Sequence, residues 1–121
     1  MKAKLKELYS LDFDINGYQP SDKECFILGL RAMIGAENEP GAESFDFHVC
    51  TPNWLKAHLV EPAWGNRKLF IKSYDLAQIK HAIEAYCDSC TGNNWAEIAS
   101  KLSDVAQWEF DNYQSNPKSP P

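Results

Sequence analysis

Nowhere in this sequence does a run of the roughly twenty consecutive apolar residues needed for a membrane span occur. The start, MKAKLKELYSLDFD, also lacks the apolar core of a secretion signal, so the expected location is the cytoplasm, with no membrane partner. Positive charge is short as well. The 121 residues hold 12 Lys and Arg against 17 Asp and Glu, a net charge of −5, which argues against nucleic acid as a partner because phosphate binding needs clustered cations. No GxSxG elbow, phosphate loop, HExxH pair or internal repeat occurs, and the three histidines are scattered. An enzyme is therefore not expected.

What is present suffices for a folded core. Apolar residues make up 44% of the chain, and a chain of this length folds without disulfides or metal. One domain over residues 1–114 is expected, with the proline-rich residues 115–121 as a disordered tail.

Hydropathy patterning orders the elements. KAKLKELY reads as an edge strand with Lys2, Lys4 and Lys6 on one side and Ala3, Leu5 and Tyr9 on the other. CFILGLRAMIG alternates Phe26, Leu28, Leu30 and Ala32 against Ile27, Gly29, Arg31 and Met33, as a central strand does. SFDFHVC alternates Phe45, Phe47 and Val49 with Asp46, His48 and Cys50, and Pro40 and Gly41 between the two strands suit a hairpin reversal.

Thr51 and Pro52 start a short helix over PNWLKAHL, and after the loop EPAWGNR the run KLFIKSY reads as a strand. Asp75 caps a helix whose stripe is Leu76, Ile79, Ile83, Tyr86, Cys87 and Cys90, ended by Gly92. Asn94 caps a second, NWAEIASKLSDVAQW, with Trp95, Ile98, Ala99, Leu102, Val105 and Ala106 as its stripe. The expected fold is α+β: a mainly antiparallel sheet of about four strands covered on one face by two longer helices and one short helix.

Cys87 and Cys90 form a CxxC element, but at the negative C-terminal end of a helix, where a thiolate gains nothing from the dipole. Buried core thiols are the expectation, with no cofactor and no metal. The alternative is a metal- or small-ligand-binding domain using His48, Cys50, Cys87 and Cys90. A structural domain of a larger assembly is a third reading, and the sequence sets no oligomeric state.

The acids are clustered. Glu37, Glu39, Glu43 and Asp46 follow one another without an intervening base, and six acids between Glu84 and Asp111 face only Lys101. Rings lie in the same chain at Trp54, Trp64 and Trp108, and anchoring rings rimmed by charge are how protein interfaces concentrate affinity. Trp108 poses a local question. If the last helix runs on, Glu109 falls on its apolar stripe and Trp108 well away from it. Either the helix ends near Gln107 and Trp108 packs inward, the favoured outcome, or Trp108 faces a partner. Phe110 and Tyr113 fit the stripe.

The ordered set of AMIG, ESFDFHVCTPNWL, SCTGNNWAEIASKL and WEF resembles the immunity protein 8 family of bacterial polymorphic toxin systems, from MKAKLKELYS to WEFDNY. The resemblance implies a cytoplasmic α+β antidote, made beside a toxin, that binds the toxin's C-terminal domain and blocks it. It transfers no binding residues and no toxin activity. The contact set expected on physical grounds combines Glu37, Glu39, Glu43, Asp46 and Asp111 with Trp54, Trp64 and Trp108.

Overall fold

The computed structural model describes residues 1–111 and has the element order β1 (Ala3–Tyr9), β2 (Ile27–Ala36), β3 (Glu43–Cys50), α1 (Pro52–His58), β4 (Lys68–Phe70), α2 (Leu76–Ser89), α3 (Trp95–Leu102) and β5 (Gln107–Trp108). This is the α+β class expected from the sequence. The tail assigned to 115–121, the boundary at 114 and Tyr113 lie outside the described residues.

The hairpin of β2 and β3 is the spine of the sheet. Their antiparallel register runs without interruption from Ile27 opposite Cys50 to Ile34 opposite Glu43. Leu28, Leu30, Ala32 and Ile34 alternate with half-buried residues along β2, and Phe45, Phe47 and Val49 alternate along β3 with the polar Asp46 and His48, so one sheet face is apolar throughout. Burying each such large side chain contributes roughly 1.5–3 kcal/mol, which makes this face the main stabilising feature of the domain.

β1 pairs antiparallel with β2 along one side, and its alternation breaks once. The register shifts between Leu5 and Glu7, so Lys6 is an extra, bulged residue and Leu8, not Tyr9, reaches the core. The simple alternation expected for KAKLKELY holds only for its first half. Tyr9 instead lies half-buried and donates its hydroxyl hydrogen to Met33 Sδ at 3.6 Å.

The other edge of β3 is shared between two short strands. β4 runs parallel to β3 at His48–Cys50, making the sheet mixed, while β5 runs antiparallel to it at Phe45–Asp46. The run KLFIKSY supplies only three strand residues.

α2 and α3 cover the apolar face. Ile79, Cys87, Cys90, Ile98, Ala99 and Leu102 join the strand residues in one buried cluster, whereas α1 buries none of its residues. Asp75 accepts from Gln78 N at 3.2 Å and Asn94 from Glu97 N at 3.0 Å, so both expected N-caps form, each typically stabilising by about 1 kcal/mol. α2 ends at Ser89 with Cys90 extended, two residues before Gly92.

The last helix is shorter than its apolar stripe suggested. α3 ends at Leu102, where Ser103 Oγ donates to Ala99 O at 2.9 Å, and Val105 is exposed rather than packed on a helical stripe. Beyond this turn the chain becomes strand, so the side-chain period changes from 3.6 to 2. Trp108 thereby packs against the core and Glu109 points out of it, and Glu109 N donates to Ser44 O at 3.0 Å.

Candidate functional site

The eight residues expected as one contact set occupy different environments. Glu37 and Glu39 lie exposed on the turn between β2 and β3. Lys2 Nζ lies 3.9 Å from Glu37 and 3.3 Å from Asp88, contacts that water and salt weaken at this exposure. Trp54 lies on α1, past the opposite end of β3, and an eight-residue strand separates the two regions by about 26 Å. The acids of the turn and this ring therefore do not form one patch.

Glu43 is turned toward the fold. Its Oε1 accepts the indole N–H of Trp95 at 2.7 Å and that of Trp108 at 2.8 Å, tying the start of β3 to α3 and β5. Phe45, fully buried, packs edge-on to Trp95 and parallel to Trp108, with ring centroids 6.3 and 6.4 Å apart. Next to them Glu109 Oε1 accepts Ser44 N–H at 2.5 Å. This set closes the C-terminal part of the fold, and Trp108 is one of its packing residues.

Asp46 sits on the helix-free face of the sheet, directly across from Arg31. Arg31 Nε and Nη2 donate to its two oxygens at 2.7 and 2.9 Å, a bidentate pairing that holds the guanidinium above its ordinary pKa. Asp111 pairs with Arg67 at 3.4 Å. A groove of about 450 Å³ on this side is lined by Asp46, His48, Asn66, Arg67, Lys68 and Gln107, a mixture of both signs rather than an acidic field.

The rings differ most. Trp54 is half-buried and stacks on His58 at 4.3 Å, and because a carbonyl only accepts, His58 Nδ1 carries the proton it donates to Trp54 O at 2.9 Å. Trp64 is 97% exposed in the loop leading to β4. Val60 and Leu59 in the same loop are exposed, as is Phe70 in β4. The sequence singled out Trp64 as a ring in the loop EPAWGNR; nothing local marked Val60 or Phe70 as exposed.

The proposed thiol and histidine site does not assemble. Cys87 and Cys90 belong to the core beneath the helices, whereas the alternation of β3 puts His48 and Cys50 on the face opposite Val49 and that core. The sheet lies between the two pairs, and among the described residues no group of three His, Cys, Asp or Glu is placed to hold a metal ion.

Burial raises the pKa of the Cys50, Cys87 and Cys90 thiols, that of Cys87 to about 12, so thiolate is suppressed at all three near neutral pH. Only Cys25 is partly exposed. Titration with a thiol-reactive disulfide at pH 8 is expected to modify one cysteine of the native protein promptly and all four after unfolding. Rapid modification of two or more in the native state would contradict the buried placement.

No curated protein sequence and no solved structure matches the chain. A sequence model of one family, described as Immunity protein 8, matches residues 3–113, which is every residue except two at the start and eight at the end. The match spans all five strands and all three helices, as well as the Glu43 clamp and the exposed loop before β4. The chain belongs to the Immunity protein 8 family, and its fold serves immunity in a toxin system.

Proposed function

We propose that the protein is a cytoplasmic inhibitor that binds the C-terminal domain of a cognate polymorphic or contact-dependent toxin and neutralises it by stoichiometric occlusion, without catalysis. The match to Immunity protein 8 over residues 3–113 is the observation that carries this reading. Two surface features support it. Glu37 and Glu39 present unburied negative charge at the turn of the β2–β3 hairpin, suited to steering a basic toxin surface into encounter, and Trp64 is a ring 97% exposed among the described residues.

In the contact set, Glu37, Glu39, Trp54 and Trp64 are the members proposed to touch the toxin directly. Glu43, Asp46, Trp108 and Asp111 are proposed to act by holding the surface in shape through their pairings with Trp95, Arg31, Phe45 and Arg67.

Co-expression tests the role. The C-terminal domain of the toxin encoded next to this chain is expected to arrest growth of a bacterial host when expressed alone and to be tolerated when this protein is made with it. Continued arrest with the protein expressed and folded would refute the pairing. A Glu37→Lys, Glu39→Lys double variant is expected to slow association about tenfold at low salt, with the difference shrinking at high ionic strength.

A further inference from the structure

Seven large hydrophobic residues are exposed among those described, and four of them, Leu59, Val60, Trp64 and Phe70, fall within twelve consecutive residues. Scattered single exposures are ordinary on a protein surface, but a run of this density, with Val60 at 91% and Trp64 at 97% exposure, makes this segment the candidate for a contact surface.

The loop carrying Leu59, Val60 and Trp64 is fixed at both ends. On entry, Leu59 N donates to Leu55 O at 2.8 Å, which closes α1. On exit, Arg67 adopts φ +53°, a left-handed conformation that costs a non-glycine residue roughly 1–2 kcal/mol. That conformation is held in place because Arg67 O accepts His48 N–H at 3.1 Å and its guanidinium pairs with Asp111 at 3.4 Å. Pro62 narrows the backbone between these two fixed points. The fixed ends and Pro62 reduce the backbone freedom of the loop, which lowers part of the ordering cost of binding.

Charge selects the kind of partner. Residues 52–72 contain Lys56, Arg67, Lys68 and Lys72 against the single acid Glu61, a formal +3, leaving the remainder of the chain at −8 against a total of −5. The exposed rings thus sit in one of two basic stretches of an acidic protein, the other being the start of the chain with Lys2, Lys4 and Lys6. A twofold dimer through this segment would set +3 against +3, which disfavours a second copy docked face to face.

We propose that residues 59–67, flanked by α1 and β4, form the anchoring surface for the toxin, with Trp64 entering an apolar concavity whose rim is acidic. This rests on the toxin-inhibitor reading above and adds the surface and its chemistry. The rings are segregated from the steering acids: Glu37 and Glu39 act from the hairpin turn, toward a different part of the toxin.

The test measures binding of the full chain to the toxin domain encoded beside it, by surface-immobilised kinetics at two salt concentrations. Trp64→Ala is expected to weaken affinity about 30-fold or more, as a ring anchor at an interface does, while leaving the thermal midpoint unchanged because the ring is not packed. Lys56→Glu is expected to slow association at low salt and Glu61→Lys to speed it. Wild-type binding with a Trp64→Ala affinity within twofold of it would overturn the anchoring surface and leave the inhibitor reading standing. Opposite signs for Lys56→Glu and Glu61→Lys would overturn the acidic rim. Absence of wild-type binding would refute the inhibitor reading and this surface with it. Concentration-dependent self-association, or sedimentation with phosphatidylserine vesicles, that Trp64→Ala abolishes would reassign the loop to a second copy or a membrane.

Discussion

Replacing Glu43 with alanine is expected to destabilise the protein by about 3 kcal/mol, on the basis that hydrogen bonds to charged groups contribute about 1.5–3 kcal/mol each and these are only half buried. The carboxylate serves two indoles at once, at 2.7 and 2.8 Å, and alanine would strand both N–H groups in partly desolvated positions. It would also free Trp108 from its stack on Phe45, and with it β5 from the edge of β3. Urea unfolding monitored by circular dichroism should show the midpoint falling by roughly 1–3 M with an unchanged slope, since the denatured state is the same.

Glu43→Gln keeps an oxygen acceptor but removes the charge, and roughly half the loss is expected. If both variants unfold with the wild type, the clamp contributes nothing and Glu43 is available to a partner. The outcome also decides how a binding defect should be read. Loss of toxin affinity in Glu43→Ala alone, with Glu43→Gln retained, identifies a residue that shapes the fold near the interface without being part of it.

The contrast between Glu43 and Trp64 explains how much of this protein is legible from its sequence. Strand alternation in β2 and β3, the caps at Asp75 and Asn94, and the Thr51–Pro52 helix start all rest on residues a few positions apart, and each formed as expected. The bulge at Lys6 and the strand at Gln107–Trp108 depend on partners across the sheet. For the terminal segment the helical stripe of α3 was locally plausible up to Ala106, and only pairing with Phe45 and Asp46 changes its period.

Candidate contact residues divide along the same line. Trp64 was placed in a loop, where the structure exposes it, while Glu43 and Asp111 looked like surface acids because their partners Trp95, Trp108 and Arg67 lie 44 to 65 positions away. Asp46 is intermediate. Once the hairpin is registered, Arg31 stands opposite it, so its pairing was within reach of the sequence but required the register to be fixed first. Acids and rings were joined in one contact set because charge-rimmed rings anchor interfaces, whereas the hairpin acids and the most exposed ring stand on separate segments of the fold.

The hairpin that separates them turns on a close backbone approach, and Gly35→Ala is expected to be as damaging as loss of the clamp. Gly35 is buried near the end of β2, and a methyl group there would approach the carbonyl oxygen of Gly41 to a distance no carbon tolerates, with Ala42 Cα at 3.2 Å beside it. These obstacles are main chain, so no side chain can swing aside to relieve them. Gly41 itself has φ +93°, which leaves the returning chain little freedom to yield. The strand ends must therefore separate, straining the pair Ile34–Glu43 next to the crossing, and overpacking of this kind costs up to about 3 kcal/mol. Because Glu43 begins β3 at this point, displacement of the turn should also disturb its bonds to Trp95 and Trp108. Gly35→Ala combined with Glu43→Ala is thus expected to cost less than the two single losses added together, measured as a coupling of about 1 kcal/mol in a double-mutant cycle. Full additivity would mean that the turn and the clamp stabilise the fold independently.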